Sequence, residues 1–261
     1  MKDALKVENL NYKKILKNIN FSIKEGTFNI LIGPSGSGKT TLLKSVFGLL
    51  EYNGVISIND LIVEQKNFQK LRKKIGIYLG IEVLENKSVF LNTIEPLKNL
   101  DYKEDISKKK VYSITKKIGI ENLLYKEVSE LSYSEKKVVA FVQSIIHEPD
   151  IILIDNIFDS LDIYYKNKIL NYLKQINKKC TILLVTNNTE DLIYADNILI
   201  LKNGKLNEIG PLEELLKQEN IFSKNELKLP FVIDLSYKLN AYDLIDKIIY
   251  DVDEMVDEIW R

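Results

Sequence analysis

Residues 33–40, with sequence GPSGSGKT, constrain the fold more than any other stretch of the chain. They match G-x-x-x-x-G-K-[ST] in full, a pattern that forms a loop between a buried strand and a helix. Residues 27–33, TFNILIG, are nearly all apolar, as expected of a strand buried on both faces. Apolar residues at helical spacing follow the loop: Leu42, Leu43, Val46 and Leu49. The sequence therefore predicts a strand–loop–helix unit of a parallel α/β fold.

The same loop predicts a site for the phosphates of a nucleotide. Its glycines let backbone N–H groups turn toward a β-phosphate, and the N-terminus of the helix adds a favourable dipole. Lys39 would reach the β- and γ-phosphates, and the Thr40 hydroxyl would bind Mg²⁺. A plain glycine turn does not require a Lys-Thr pair at this spacing. The predicted nucleotide-binding residues are Gly33, Pro34, Ser35, Gly36, Ser37, Gly38, Lys39, Thr40 and Thr41.

A second apolar run, residues 151–155 with sequence IILID, ends in Asp155. An aspartate at the end of such a strand, beside a phosphate loop, is a common anchor for Mg²⁺, acting through water. Without a phosphate loop, a side chain that caps the following turn would be the favoured interpretation. Thr40 and Asp155 are therefore the predicted metal residues. The next residue is Asn156, an amide where a hydrolytic site needs a carboxylate to activate water.

Strands that alternate with helices predict a parallel sheet flanked by helices. Residues 73–80 and 181–186 are further candidate strands, and a helix is predicted near residues 163–176. Residues 195–210 have the pattern of a hairpin whose turn is Asn203-Gly204. Two short strands near the start, within residues 5–10 and 19–23, predict an antiparallel β edge beside the sheet.

Two changes in composition along the sequence indicate how the chain is divided. Residues from 82 to about 125 are lysine-rich with helical period, and we expect a helical subdomain over about 82–147. A separate segment begins near Ser223. We expect a nucleotide-binding domain over residues 1–222 and a small helical extension over residues 223–261.

Charge and cysteine content exclude several classes of protein. The chain has 37 basic and 37 acidic residues, so no global field favours nucleic acid or anionic lipid. The pair Lys136-Lys137 and the run 108–110 indicate solvated helix faces. Cys180 is the only cysteine, which rules out an internal disulfide and fits a reducing cytosol. No run approaches the roughly 20 apolar residues of a membrane span, so membrane contact is expected only through a partner.

Residues 131–135, LSYSE, precede the strand that ends in Asp155. With the phosphate loop and that strand, they make the chain resemble the ATP-binding cassette (ABC) family over roughly residues 4–210. The resemblance makes ATP with Mg²⁺ the expected ligand. It assigns Ser132, Tyr133, Ser134 and Glu135 to a signature that contacts the ATP of a partner, and Ser160, Leu161 and Asp162 to the D-loop. Tyr12 lies where the family often stacks an aromatic ring on adenine, although ordinary packing explains it nearly as well. Ser132 with Glu135 also has the S-x-x-E pattern of a capping box.

The resemblance also implies a mechanism. Two cassettes pair head to tail, and each ATP lies between one phosphate loop and the signature of the other subunit. The family's catalytic glutamate, switch histidine and Q-loop glutamine correspond here to Asn156, Asn187 and Gly80. All three helpers are replaced, and the loss of general-base help alone typically costs about 10²–10⁴-fold in rate. The only histidine, His147, is expected at the C-terminal end of the signature helix.

The tail carries a second resemblance. Residues 225–240, NELKLPFVIDLSYKLN, and 249–260, IYDVDEMVDEIW, are similar to the C-terminal extension of energy-coupling factor (ECF) transporter ATPases. That extension helps two ATPases associate. Two amphipathic helices packed on their own domain are the simpler interpretation, because Leu229, Val232, Leu235 and Leu239 recur at helical spacing. The two interpretations are compatible.

These resemblances imply the ATP-binding subunit of an ECF-type transporter for micronutrient uptake. It would pair with a second cassette, in a heterodimer, and dock on an integral membrane subunit at the inner face of the cell membrane. The implied location is cytoplasmic, with no direct insertion and no nucleic acid partner. A non-hydrolytic regulatory or structural subunit is an alternative from another class. A soluble cassette protein outside transport is a third, which the lack of a basic arm disfavours.

Overall fold

A six-stranded sheet carries the phosphate loop, in a computed structural model that describes residues 2–218 and 220–260. The strands of this part of the chain are β1 Asp3–Tyr12, β2 Leu16–Lys24, β3 Phe28–Ile32, β4 Asn53–Ile58, β5 Leu61–Ile62, β6 Ile75–Tyr78, β7 Ile151–Asp155, β8 Thr181–Val185, β9 Asn197–Lys202 and β10 Lys205–Gly210. The sheet has the order β10-β9-β3-β8-β7-β6, and all its pairs are parallel except β10–β9. Four other strands form a separate antiparallel sheet with the order β2-β1-β4-β5. This arrangement confirms the predicted α/β class with an antiparallel β part.

The α-helices of the described residues are α1 Lys39–Val46, α2 Phe68–Leu71, α3 Val89–Asn99, α4 Glu104–Ile118, α5 Tyr133–Ile145, α6 Ile163–Ile176, α7 Leu212–Leu216, α8 Ile221–Lys224, α9 Phe231–Ala241 and α10 Val252–Ile259. Helix α6 has the predicted bounds. The first helix is shorter than predicted, because Gly48 adopts a φ of 79° and ends it. Leu49 therefore lies outside α1 and is 54% exposed.

The core has two parts, one on each face of the central sheet. Successive residues of a strand point to opposite faces, so Ile30 and Ile152 pack on the side of α3, α4 and α5. Leu31 and Leu153 pack with the antiparallel sheet and α1. This two-sided burial explains why β3, β7 and β8 are nearly continuous apolar runs.

The tail packs on the rest of the chain and also has a small core of its own. Ile233 of α9 is fully buried in the larger core. Val232 instead joins Ile245, Ile249 and Met255 in a separate cluster. Leu229 lies before α9 rather than within it, because the residue that precedes a proline disfavours helical backbone and Pro230 follows. The division at residue 222 stays a prediction.

None of the helices in residues 2–218 and 220–260 has the length and apolar character needed to cross a membrane.

Candidate functional site

The phosphate loop joins β3 to α1 and folds around the side chain of Lys39. Its Nζ donates to the carbonyl oxygens of Gly33, at 2.7 Å, and Pro34, at 2.9 Å. Lys39 is only 6% exposed. Burial lowers the pKa of its ammonium, and the nearby charge of Asp155 opposes that shift. Both acceptors are neutral, so the cation remains available to an anionic ligand at the loop.

The hairpin of β9 and β10 packs against the phosphate loop and is hydrogen-bonded to it. The backbone N–H of Gly204 donates to the carbonyl oxygen of Ser37, at 3.1 Å. The turn is the predicted one, and both Asn203 and Gly204 have positive φ. Gly33 sits so close to this hairpin that a Cβ would lie 1.9 Å from the carbonyl oxygen of Leu201. Only glycine fits at that position of the motif.

Thr40 and Asp155 come together at the carboxyl edge of the sheet, as the metal prediction requires. The Thr40 hydroxyl donates to Oδ2 of Asp155 at 2.6 Å. Hydroxyl and carboxylate oxygens suit Mg²⁺, which usually keeps several waters and binds one or two carboxylates together with phosphates. In the described residues no group of three or more His, Cys, Asp or Glu side chains could hold a metal. The pair therefore fits an ion that the nucleotide itself helps to hold.

A cleft of about 380 Å³ lies over the loop. It brings together most of the predicted phosphate-binding residues and the two asparagines that follow β7 and β8, Asn156 and Asn187. Gly33 and Pro34 lie beneath it and hold Lys39. Sequence reasoning missed one lining residue, Ile15, whose side chain is 41% exposed. The lining residues are Ile15, Ser35, Gly36, Ser37, Gly38, Lys39, Thr40, Thr41, Asn156 and Asn187.

The side-chain amide of Asn156 is hydrogen-bonded to Asp155, the predicted metal residue. Its Nδ2 donates to Oδ1 of Asp155 at 3.0 Å, so the two carboxylate oxygens of Asp155 are held by Asn156 and Thr40 respectively. Its φ is 47°, in the left-handed region that asparagine tolerates better than most residues. An amide cannot accept a proton from water. Asn156 therefore offers no side chain that could act as a general base at this position.

At the third replaced position, Gly80 follows β6 with a φ of 127°, which side-chain-bearing residues rarely adopt. A Cβ there would lie 2.3 Å from Oε2 of Glu82. The carboxylate of Glu82 thus occupies the space that a side chain at position 80 would take. Sequence reasoning did not predict this residue.

Tyr78 lies near the carboxylate of Glu82. Its phenol oxygen is buried and has no hydrogen-bond partner in the described part of the chain. Burial raises the pKa of this phenol, and the charges of Tyr133, Glu82 and Asp155 add to the shift.

The signature segment begins α5 with the predicted capping box. The Ser132 hydroxyl accepts from the N–H of Glu135 at 3.2 Å, and Oε2 of Glu135 accepts from the N–H of Ser132 at 2.7 Å. Tyr133 is exposed, whereas Ser134 is buried. Ser132 therefore presents the helix N-terminus to the surface, where a neighbouring subunit has access.

The D-loop residues follow β7 and lie against α5. Ser160 and Asp162 are exposed and Leu161 is half-buried. The backbone N–H of Asp162 donates to Oγ of Ser134 at 3.1 Å. The structure thus brings the D-loop and the signature of the same chain into direct contact.

The prediction that Lys136-Lys137 forms a solvated helix face is wrong for Lys137. This side chain is 6% exposed, and its Nζ donates to the carbonyl oxygens of Ile157, at 3.2 Å, and Asp159. Burial lowers the pKa of its ammonium. The cause is the loop after β7, which packs over this face of α5 and removes it from solvent. Lysines 108 and 109 are exposed as predicted.

Two aromatic predictions have different outcomes in the structure. Tyr12 ends β1 half-buried against the core of the antiparallel sheet, with the Lys13 ammonium 5.2 Å from its ring centroid. Its stacking on adenine stays a prediction. His147 lies just beyond the end of α5, and its ring Nε2 is 3.1 Å from the carbonyl oxygen of Ile75. Ile75 begins β6, at the opposite end from Gly80, so His147 is remote from the phosphate loop.

Comparison with known proteins gives a consistent family. A family model described as ABC transporter matches residues 16–159. The energy-coupling factor transporter ATP-binding protein EcfA of Pediococcus pentosaceus is 29% identical over 88% of this chain and 87% of its own length. A putative ABC transporter ATP-binding protein of Pyrococcus furiosus is 31% identical over 86% of this chain and 84% of its own.

Solved structures agree with the sequence matches. CbiO1 from Clostridium perfringens, described as part of the ABC transporter complex cbiONQ, gives a TM-score of 0.74 at 30% identity, with 88% of this chain and 97% of that chain covered. The dimeric cassette MJ0796, bound to ADP and phosphate, gives 0.73 at 26% identity, with 80% and 98% covered. The matched model spans more than half of the chain and includes the phosphate loop, the signature and Asp155. The chain therefore belongs to the ATP-binding cassette family of ABC transporter ATPases, and it is similar to the ATP-binding subunits of ECF transporters.

Proposed function

We propose that this chain is the ATP-holding subunit of an ECF-type transporter that takes up a micronutrient. One observation carries the proposal. Lys39 and Thr40 of a complete phosphate loop share a cleft with Asn156 and Asn187, and Thr40 is hydrogen-bonded to Asp155. The loop and the metal pair have what MgATP binding needs, while the two amides cannot act as a general base or carry a positive charge.

The partner follows from head-to-tail pairing. In a homodimer both composite sites would contain Asn156 and Asn187, and both would be slow by about 10²–10⁴-fold or more. In a heterodimer only one site would be slow. The other would combine the phosphate loop of the partner with Ser132, at an exposed helix N-terminus that favours a phosphate. We therefore propose a heterodimer with one holding site and one hydrolysing site, in which Asp162 of the D-loop lies along the interface.

Two exposed apolar surfaces support the wider assembly. Val83, Leu91 and Tyr125 are exposed on the helical subdomain, and Val83 follows Gly80 by three residues. We propose this region as the contact with an integral membrane subunit, which would hold the chain at the inner face of the cell membrane. Helix α10 exposes apolar side chains along one face. This face would pack on the second cassette, and its members are Val252, Val256, Ile259 and Trp260.

The test is the composition of the native complex, recovered through a tag on this chain and weighed by native mass spectrometry. We expect one copy of this chain, one copy of a cassette that has a glutamate after its own metal-binding aspartate, and an integral membrane protein. A tagged Val256→Asp variant should lose the second cassette and keep the melting-temperature rise with MgATP. Two copies of this chain without another cassette would contradict the proposal.

A further inference from the structure

The buried ammonium of Lys137 has no role in holding a nucleotide at the phosphate loop of its own chain. Within residues 2–218 and 220–260 it forms no ion pair with a carboxylate, and its acceptors are the carbonyl oxygens of Ile157 and Asp159. Burying a charge is costly unless it is hydrogen-bonded or paired. The cost here is offset by bonds to one short loop, residues 157–162, which lies in the connection between β7 and α6.

Ser134 holds the other end of that loop. Its hydroxyl accepts from the backbone N–H of Asp162 at 3.1 Å. Ser134 and Lys137 are three residues apart on α5, so both side chains lie on one face of the helix. Ser134 is 5% exposed. Both ends of the loop are therefore hydrogen-bonded to the first two turns of the signature helix by side chains that are nearly buried.

The loop begins at the metal pair. Thr40 donates to Asp155 at 2.6 Å, and Asn156 donates to the other oxygen of the same carboxylate at 3.0 Å. The backbone N–H of Asn156 is fixed to the carbonyl oxygen of Val185, at 3.0 Å, so its peptide is held on β8. Hydrogen bonds at both ends, joined by the covalent chain of residues 155–162, thus connect the phosphate loop to the start of α5.

We propose that Lys137 and Ser134 form a clamp that couples occupancy of this chain's own nucleotide site to the position of its signature segment, residues 131–135. The inference rests on the proposed function, in which that segment serves the second nucleotide site. A shift of Asp155 moves Asn156 and the loop after it. A free loop would absorb such a shift, whereas a clamped one passes it to α5 as a rigid-body displacement. Lys137 is a positioning residue in this scheme and does not touch nucleotide.

Hydrogen exchange on the isolated full chain tests the clamp. In the native chain, MgATP should slow exchange of the amides in residues 131–137 by about fivefold or more, the lower range of allosteric coupling. Lys137→Met should remove this response and keep the rise in melting temperature with MgATP. Lys137→Arg, which keeps a buried cation and its donors, should restore it. Lys136→Met is the matched control, because that neighbour is half-buried and is not part of the clamp.

The rise in melting temperature with MgATP distinguishes a failure of the proposed function from a failure of the clamp alone. A native chain that shows no rise with MgATP overturns the proposed function together with the clamp. A rise with no change in residues 131–137 overturns the clamp alone, as does a response that survives Lys137→Met. If Lys137→Met does not fold, Lys137→Gln removes the charge while keeping a hydrogen-bond donor, and the same expectations apply to it.

Discussion

Replacing Lys39 with alanine is expected to abolish the rise in melting temperature that MgATP gives the native chain. A ligand at about 100 times its Kd stabilises the folded state by about 2.7 kcal/mol, which for a chain of this size is a rise of roughly 5–10 °C. Lys39 is the buried cation of the phosphate loop, so its loss removes the charge that pairs with the phosphates. Differential scanning fluorimetry with and without MgATP measures the effect.

Lys44→Ala is the matched control for that experiment. Lys44 lies in the last turn of α1, outside the cleft over the loop, and its loss removes the same charge from the same helix. Its MgATP-dependent rise should equal that of the native chain. A Lys39→Ala variant that keeps the full rise would show that nucleotide binds elsewhere.

Replacing Ser132 with tryptophan is expected to suppress ATP hydrolysis by the proposed heterodimer of this chain and a second cassette. The Ser132 hydroxyl caps α5 at the surface, where the phosphates of the ATP bound by the second cassette would lie. Loss of one donor aimed at transition-state charge costs about 10²–10³-fold in rate, and the bulky ring also opposes closure of the two cassettes. Steady-state phosphate release by the co-purified pair measures it, and the loss should be as strong as that from removing the catalytic glutamate of the partner.

Ser113→Trp controls for the added ring. Ser113 is an exposed residue of α4, in the helical subdomain but outside the signature segment. It should leave hydrolysis by the pair unchanged. If Ser132→Trp also leaves turnover unchanged, this chain does not lend its signature to a hydrolysing site.

Short sequence patterns predicted the buried strands, the hairpin turn and the cap of the signature helix. Strands β3, β7 and β8 are apolar at nearly every position because both of their faces are covered. Such short apolar runs are typical of strands in a parallel sheet. The Asn203-Gly204 turn has the positive φ at both residues that its hairpin requires. The capping box at Ser132 and Glu135 is likewise a contact between residues three apart.

Features that depend on packing between distant segments were not predictable. Lys136 and Lys137 are adjacent and alike in sequence, and only the position of the loop after β7 decides which of them is buried. The carboxylate of Glu82 reaches the space beside Gly80 because of a backbone conformation that the sequence does not report. Of the candidate site, the sequence pointed to the phosphate loop, Asp155 and the two asparagines. The structure adds Ile15, Glu82 and the hydrogen bonds of Lys137 and Ser134 to the loop after β7.

The identity of the nucleotide that stays bound to the isolated chain tests the central claim most directly. The chain is loaded with MgATP, freed of excess nucleotide, incubated for hours and denatured, and the released nucleotide is separated by chromatography. The arrangement of Asn156 beside Asp155 predicts that the bound nucleotide is still ATP, with none retained by Lys39→Ala. Bound ADP that accumulates with time in the native chain, and is absent from Lys39→Ala, would show that this site hydrolyses ATP.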